Sequence, residues 1–358
     1  MVIRERLRRL REKLAERKID GLLVTGAVNR RYLSGFTGTS GYLLITREAA
    51  VLFSDFRYRT QAPMQAPDFV FVEHGPKPEE AIRDKALELG IRKLAFEDHD
   101  LTVAGFRKMS EALSGIELVP AGKLVEAVRM VKDESELAVL KEACAIADRA
   151  FEHLLGVLKP GMTEKEAALE LEFFMRREGA AGTSFDTIVA SGERSAMPHG
   201  TASDRKIGPG ELVTFDFGAF YQGYCSDLTR TVVLGPASDR HREIYGIVLE
   251  AQQAALDGIR PGMTGREADR IARSVIEKYG YGEYFGHGTG HGIGLEIHEE
   301  PRLSMGGEVM LVPGMTVTVE PGIYIPGFGG VRIEDDIVIT ENGAELLTHA
   351  PKNFIVIG

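Results

Sequence analysis

The chain has 358 residues, 44% of them apolar, with 43 Lys and Arg against 53 Asp and Glu and a formal net charge of −10. That length favours two domains with a proper core, and the acidic balance disfavours nucleic acid, whose phosphates need a basic footprint. No apolar run is long enough to span a bilayer, so no membrane partner is expected, and two cysteines, Cys144 and Cys225, cannot build a disulfide framework, which makes a reducing compartment the default.

The first stretch, "MVIRERLRRLREKLAERKIDGLLVTG", is charged early and lacks a signal-peptide hydrophobic region. Glu5, Glu12 and Glu16 do not suit an acidic-poor transit peptide, so the expected location is the cytoplasm. Leu7, Leu10 and Leu14 share one helical face, which predicts a surface helix leading into the strand "DGLLVT". Short apolar runs then alternate with helical stretches ("GYLLITREAAVLFSD", "DFVFVEH", "RKLAFED"), the pattern of a small α/β domain. In "VRMVKDESELAVLKEACAIADRAFEHLLGVL", Asp133 followed by Glu136 is a capping-box signature opening a long amphipathic helix. The boundary falls just before that helix, giving domains 1–128 and 129–358.

The second domain carries an internal repeat. "LKPGMTEKEA" from Leu158 and "IRPGMTGREA" from Ile259 agree at six of ten positions. Thr163 and Thr264 each precede a Glu three residues on, Glu166 and Glu267, which marks a helix start in both copies. Two unrelated helix starts would not share six identities in one register. "PGELVTFDFG" from Pro209 matches "PGMTVTVEPG" from Pro313 in the same way, and this lays Asp216 over Glu320. Both carboxylates stand on a strand whose other face is apolar: Val213, Phe215 and Phe217 in one copy, Val317 and Val319 in the other. A glycine-flanked turn follows, then a second strand expected to carry Asp227 or, in the second copy, Glu334. Hairpins could thus place Asp216 opposite Asp227 and Glu320 opposite Glu334. Four buried carboxylates converging on one place are untenable without cations, and a pair of divalent metals resolves this.

His74, His99, His153, His241 and His349 lie in charged or loop contexts and receive no role. His199 sits in "SAMPHGTAS", and His287, His291 and His298 sit in "FGHGTGHGIGLEIHEEP". A lone loop histidine is more often a surface residue than a ligand. Three among glycines, which admit close backbone approach, point to a site. The segment is no zincin motif, because Arg302 stands where the second His is needed. No GxGxxG, GxxxxGK[ST] or GxSxG occurs, so dinucleotide, phosphate-loop and serine-hydrolase readings fail. Cys225 reads as a small strand residue, since carboxylates nearby would raise its pKa and blunt it as a nucleophile.

Asp216, Asp227, His291, Glu320 and Glu334, in that order and context, resemble the five ligands of the pita-bread-fold metallopeptidases, which include methionine aminopeptidase, aminopeptidase P and prolidase. "TFDFGAFYQGYCSDLTRT", "GHGTGHGIGLEIHE" and "VEPGIYIPGFGGVRIEDDIVIT" carry the resemblance. "NRRYLSGFTGTSGYLLIT" and "LFSDFRYRTQA" are similar to the N-terminal domain of the prolidase and aminopeptidase P branch. The resemblance implies an α+β protein: a pita-bread catalytic fold with a pseudo-twofold repeat, behind a smaller α/β domain. It implies that Asp216 chelates one divalent metal, that His291 and Glu320 bind a second, and that Asp227 and Glu334 bridge the two. His199 and His298 would hydrogen-bond substrate or tetrahedral intermediate, Glu320 would shuttle a proton, and His287, Arg332 and Tyr324 would line the substrate site. The reaction implied is hydrolysis of the Xaa-Pro bond at the N-terminus of dipeptides or short proline-containing peptides, by a hydroxide bridging the metals. The oxygen-rich ligand set favours Mn²⁺, with Co²⁺, Zn²⁺ and Fe²⁺ open. The resemblance also implies a homodimer, with the leading domain narrowing access to the site. Three alternatives stand beside this: an aminopeptidase with Met-X or broader specificity, a metal-free creatinase-like hydrolase, and a binding module that has lost catalysis. Competent residues at all five ligand positions count against the last two.

Overall fold

A computed structural model describes residues 2–358 and divides the chain into two compact units, Met1–Arg129 and Met130–Gly358. In the first, the amphipathic pattern of the opening segment forms the helix Val2–Glu16, which buries Leu7, Leu10 and Leu14. The run "GYLLITREAAVLFSD" folds as two antiparallel strands, Tyr42–Thr46 and Ala50–Ser54, because Thr46 turns the chain by accepting a bond from Ala49 N–H at its hydroxyl (2.9 Å). A six-stranded mixed sheet results, in the order Val70–Glu73, Ala50–Ser54, Tyr42–Thr46, Gly21–Val24, Lys93–Phe96, Glu117–Pro120. Leu23, Leu44, Phe53 and Leu94 are fully buried in its core, each such side chain contributing about 1.5–3 kcal/mol.

The second unit is built twice from two helices and a sheet. In the first half, Glu134–Val157 and Glu164–Arg177 cover a four-stranded sheet ordered Val356–Ile357, Leu228–Leu234, Glu211–Phe217, Ile188–Ser191. Phe151, Leu171, Phe215 and Phe217 interlock between them. In the second half, Asp239–Gly258 and Gly265–Lys278 cover a five-stranded sheet ordered Glu299–Leu303, Gly290–Gly292, Thr316–Val319, Asp335–Thr340, Gly343–Leu346. Val248, Ile276, Val317 and Ile337 fill that core.

The capping signatures are realised. Asp133 accepts from Glu136 N–H (3.0 Å) while Glu136 accepts from Asp133 N–H (3.0 Å). Thr163 with Glu166 and Thr264 with Glu267 do the same, so each start meets two otherwise unpaired N–H groups, about 1 kcal/mol per cap. A fourth box, Ser238 with His241, opens Asp239–Gly258 and gives His241 a structural place. No helix among the described residues is long and apolar enough to cross a membrane.

Candidate metal centre

Alternation along Glu211–Phe217 buries Val213, Phe215 and Phe217 on the helix side and turns Asp216 to the opposite face. The partner opposite Asp216 is Thr229, not Asp227. Asp227 stands one residue before the strand Leu228–Leu234, because the intervening turn folds as its own hairpin, with Phe220 paired to Cys225. The second copy repeats the correction: Val319 pairs with Asp335, Glu320 and Glu334 flank the strand ends, and Gly322–Ile325 pairs with Gly329–Arg332 between them. The carboxylates therefore meet at the mouths of two long strand pairs rather than across their rungs.

They do converge. Ligand atoms of Asp227, His291 and Glu334 all lie within 4.8 Å of one another. His291 Nε2 is 3.6 Å from Asp227 Oδ2 and 3.4 Å from Glu320 Oε1. His291 Nδ1 donates to Gly292 O (3.0 Å), which fixes the tautomer and aims the Nε2 lone pair at the carboxylates. Burial lowers the pKa of this ring to about 3, so it stays neutral and able to ligate. Burial, reinforced by repulsion between neighbouring carboxylates, pushes Asp227 and Glu334 well above the usual range. Burial likewise raises Glu320 to about 7, with Arg332 opposing it.

One carboxylate oxygen of Asp216 (Oδ1) and one of Glu334 (Oε1) are buried without a hydrogen-bond partner, and the remaining oxygens are oriented from outside. Thr229 donates to Glu334 Oε2 (2.6 Å), Thr318 donates to Glu320 Oε1 (3.1 Å), and Arg332 pairs with Asp216 Oδ2. Buried oxygens with free lone pairs beside a neutral imidazole fit a cation, and an oxygen-rich set with one nitrogen fits divalent ions. Behind them Asp336 accepts the Asp227 N–H (2.8 Å) and the Cys144 thiol (3.3 Å), and burial raises it to about 8.

The centre opens into a cleft of about 760 Å³ whose lining includes His199, His287, His298, Tyr324 and Arg332, so every residue expected at the site reaches it. His298 stacks edge-on against His291, ring centroids 4.4 Å apart. Arg332 Nη1 donates to Tyr324 Oη (2.9 Å), whose O–H is then left to donate to His287 Nε2 (2.8 Å), while His287 Nδ1–H donates to Gly288 O (2.8 Å). Burial lowers His287 to about 4 and keeps this relay neutral at its imidazole. Burial raises Cys225 to about 12, an inert thiol outside the cleft lining.

Arg302, which in the sequence only rules out a zincin motif, lines the cleft as an exposed cation. Its position after "HEEP" carried no signal beyond proximity to His298. His99 also gains neighbours: its ring and the carboxylates of Glu97 and Glu126 come together in the first unit. There Glu97 is already occupied by the N–H groups of Thr25 and Gly26 and the side-chain amide of Asn29.

Residues 138–341 match the model of metallopeptidase family M24, and residues 6–131 match that of the creatinase/prolidase N-terminal domain. Among solved structures, an Xaa-Pro dipeptidase from Bacillus anthracis is 52% identical, with 99% of each chain covered and a TM-score of 0.97. An X-Pro aminopeptidase from Thermotoga maritima is 42% identical, covering 96% of this chain and 99% of that one, with a TM-score of 0.91. A curated relative, the Xaa-Pro dipeptidase of Pyrococcus horikoshii, is 42% identical over 355 residues, 99% of each chain.

Proposed function

The chain belongs to metallopeptidase family M24, and from that premise we propose that it hydrolyses the Xaa-Pro bond of dipeptides and short peptides. The observation that carries the reading is the convergence of Asp227, His291 and Glu334, with Asp216 and Glu320 beside them, on one buried centre open to a peptide-sized cleft. Asp216, Asp227, Glu320, Glu334 and His291 would hold two divalent cations, Mn²⁺ first among them. Bound, such cations supply Lewis acidity and lower the pKa of water to near neutrality. The leading domain, 1–128, contributes none of these ligands; 129–358 is the catalytic domain.

The protein's own groups do the rest. His298, next to His291, is placed to hydrogen-bond the scissile carbonyl as charge builds on its oxygen. His199 lines the same cleft and steadies the substrate. Glu320, which lines the cleft beside His291, is placed to pass a proton to the leaving proline nitrogen. The Arg332–Tyr324–His287 relay forms one wall. Of the two arginines in the cleft, Arg332 is committed to Asp216, so Arg302 is the cation that meets the C-terminal carboxylate of a dipeptide. This favours the dipeptidase over the longer-peptide aminopeptidase.

Elemental analysis of protein purified without chelators, joined to hydrolysis of an Xaa-Pro dipeptide, tests the reading. Close to two divalent ions per chain with proline release supports it. Protein that binds no metal would restore the creatinase-like and binding-module readings.

A further inference from the structure

We infer that Glu164 is a positioning residue for the reaction: its buried carboxylate sets the loop that presents His199 to the cleft. The inference rests on the substrate-binding role given to His199 above. The comparison that carries it lies inside the chain.

The two repeats anchor their helix starts in the same way. Gly161 N–H donates to Ile207 O (2.9 Å) and Gly262 N–H to Leu311 O (2.8 Å). Glu164 N–H donates to Arg205 O (3.0 Å) and Gly265 N–H to Val309 O (3.1 Å). Lys165 N–H donates to Ser203 O (3.1 Å) and Arg266 N–H to Gly307 O (2.8 Å). Thr163 and Thr264 both cap. The scaffold therefore repeats, and the side chain just after the cap does not. In the second copy it is Gly265, where a Cβ would lie 2.0 Å from Arg302 O, so no side chain fits. In the first copy it is Glu164, 0% exposed. The second half shows that this helix start needs no side chain there.

What Glu164 does hold is the segment around His199. Its Oε1 accepts from Ser191 N–H (2.9 Å) and Ser191 O–H (2.8 Å), at the end of the strand Ile188–Ser191. Its Oε2 accepts from Ser203 N–H (3.1 Å) and Ser203 O–H (2.6 Å), and from Arg194 Nη1. Arg194 in turn donates through Nη2 to Thr201 O (2.8 Å). One carboxylate thus pins the loop at both ends and, through Arg194, ties residues 194 and 201 to each other within it. His199 lies between these ties, and Arg332 Nη1 holds Pro198 O (3.2 Å) from the cleft side. Bonds to a buried charged acceptor are strong and costly to lose, so the loop has one favoured path. Displacing a substrate-binding group by about 1 Å costs up to about 100-fold in rate.

The test is a double-mutant cycle on the metal-loaded full chain with Glu164→Gln and His199→Ala, read by Xaa-Pro dipeptide hydrolysis, metal content and amide hydrogen exchange. Glu164→Gln is expected to lower kcat at least about tenfold with metal content unchanged, and to quicken exchange in residues 192–202 but not in 296–304. In the His199→Ala background it should add less than about a twofold loss, because the group it positions is gone. An equal fold-loss in both backgrounds, unchanged exchange, or full activity of Glu164→Gln overturns the inference. If Glu164→Gln does not fold, Arg194→Gln, at a side chain 25% exposed, runs through the same cycle with the same criteria. A wild type that binds metal but spares Xaa-Pro peptides refutes the proposed substrate instead, and the exchange comparison still decides whether Glu164 anchors the loop.

Discussion

Arg230→Met should destabilise the second unit by about 3–5 kcal/mol, the usual cost of removing one member of a buried ion pair. Arg230 is 1% exposed and lies on the strand that follows Asp227. Nη2 donates to Asp335 Oδ1 (2.7 Å) and Ala350 O (2.7 Å), Nε to Pro351 O (3.1 Å), and Nη1 to Thr229 O (3.0 Å) and Glu334 O. Methionine fills much of the volume and offers no donor; Thr229 O keeps the Glu334 N–H (3.1 Å), so the loss falls on the carbonyls of Glu334, Ala350 and Pro351, at about 1 kcal/mol each where water takes the place of the guanidinium. Asp335 keeps Lys352 and Gln252, which stops its charge from being wholly orphaned and holds the total within that range. Burial alone would raise the Asp335 carboxyl, but Arg230 and Lys352 outweigh it and hold it below the usual range. At about 2–4 °C per kcal/mol for a unit of this size, the melting transition should fall by roughly 6–20 °C. Calorimetry of the metal-free protein reads the shift without the contribution of bound ions. A drop under about 2 °C would show that the network adds little, and the reasoning from buried charge would be wrong.

Asp227→Asn and Glu334→Gln should each lose tightly bound metal and at least about 1,000-fold in hydrolysis together; an active variant at full metal content contradicts the assignment. In chelator-treated protein, Asp227, Glu334 and Glu320 titrate above their unfolded values, so the folded state holds extra protons. Their contribution to stability is present below the unfolded value, 4.5 for Glu, and is lost as pH rises through the folded one, about 7 for Glu320. His291 and His287, lowered by burial to about 3 and about 4, oppose this up to their unfolded value of 6.5, so urea midpoints of metal-free protein should fall from pH 7 to pH 8, and metal loading, which favours the ionised ligands, should reverse the trend; a rise over that interval without metal would refute the sign. Arg302→Met should raise KM for an Xaa-Pro dipeptide about 10- to 100-fold, as loss of a charge-assisted bond implies, and leave a C-terminally amidated substrate within about threefold. Equal effects on both would remove Arg302 from carboxylate recognition.

Local rules made some of this legible in the sequence. Capping pairs such as Asp133 with Glu136 are read within four residues, and strand alternation separates Asp216 from Val213 and Phe215. The repeat then laid Asp216 over Glu320 without any knowledge of the fold. Residue spacing does not say whether a turn is slack or folds on itself, so the true partners of Asp216 and of the strand ahead of Glu320 do not follow from it. Phe220 pairing with Cys225, and Ile323 with Val331, shift Asp227 and Glu334 off the long strands. Long-range partners were illegible for another reason. Glu164 looks like any acid in a first helical turn until the fold brings Ser191 and Ser203 to it, and Tyr324 meets Arg332 only through their strand pairing.

The central claim is tested most directly by offering the Mn²⁺-loaded protein an Xaa-Pro dipeptide, the same sequence extended by several residues, and Met-Ala-Ser. The account predicts release of free proline from the dipeptide, slower cleavage of the extended peptide, whose carboxylate lies beyond Arg302, and none of Met-Ala-Ser. Preferential cleavage of Met-Ala-Ser, or no Xaa-Pro cleavage with both ions bound, would contradict it.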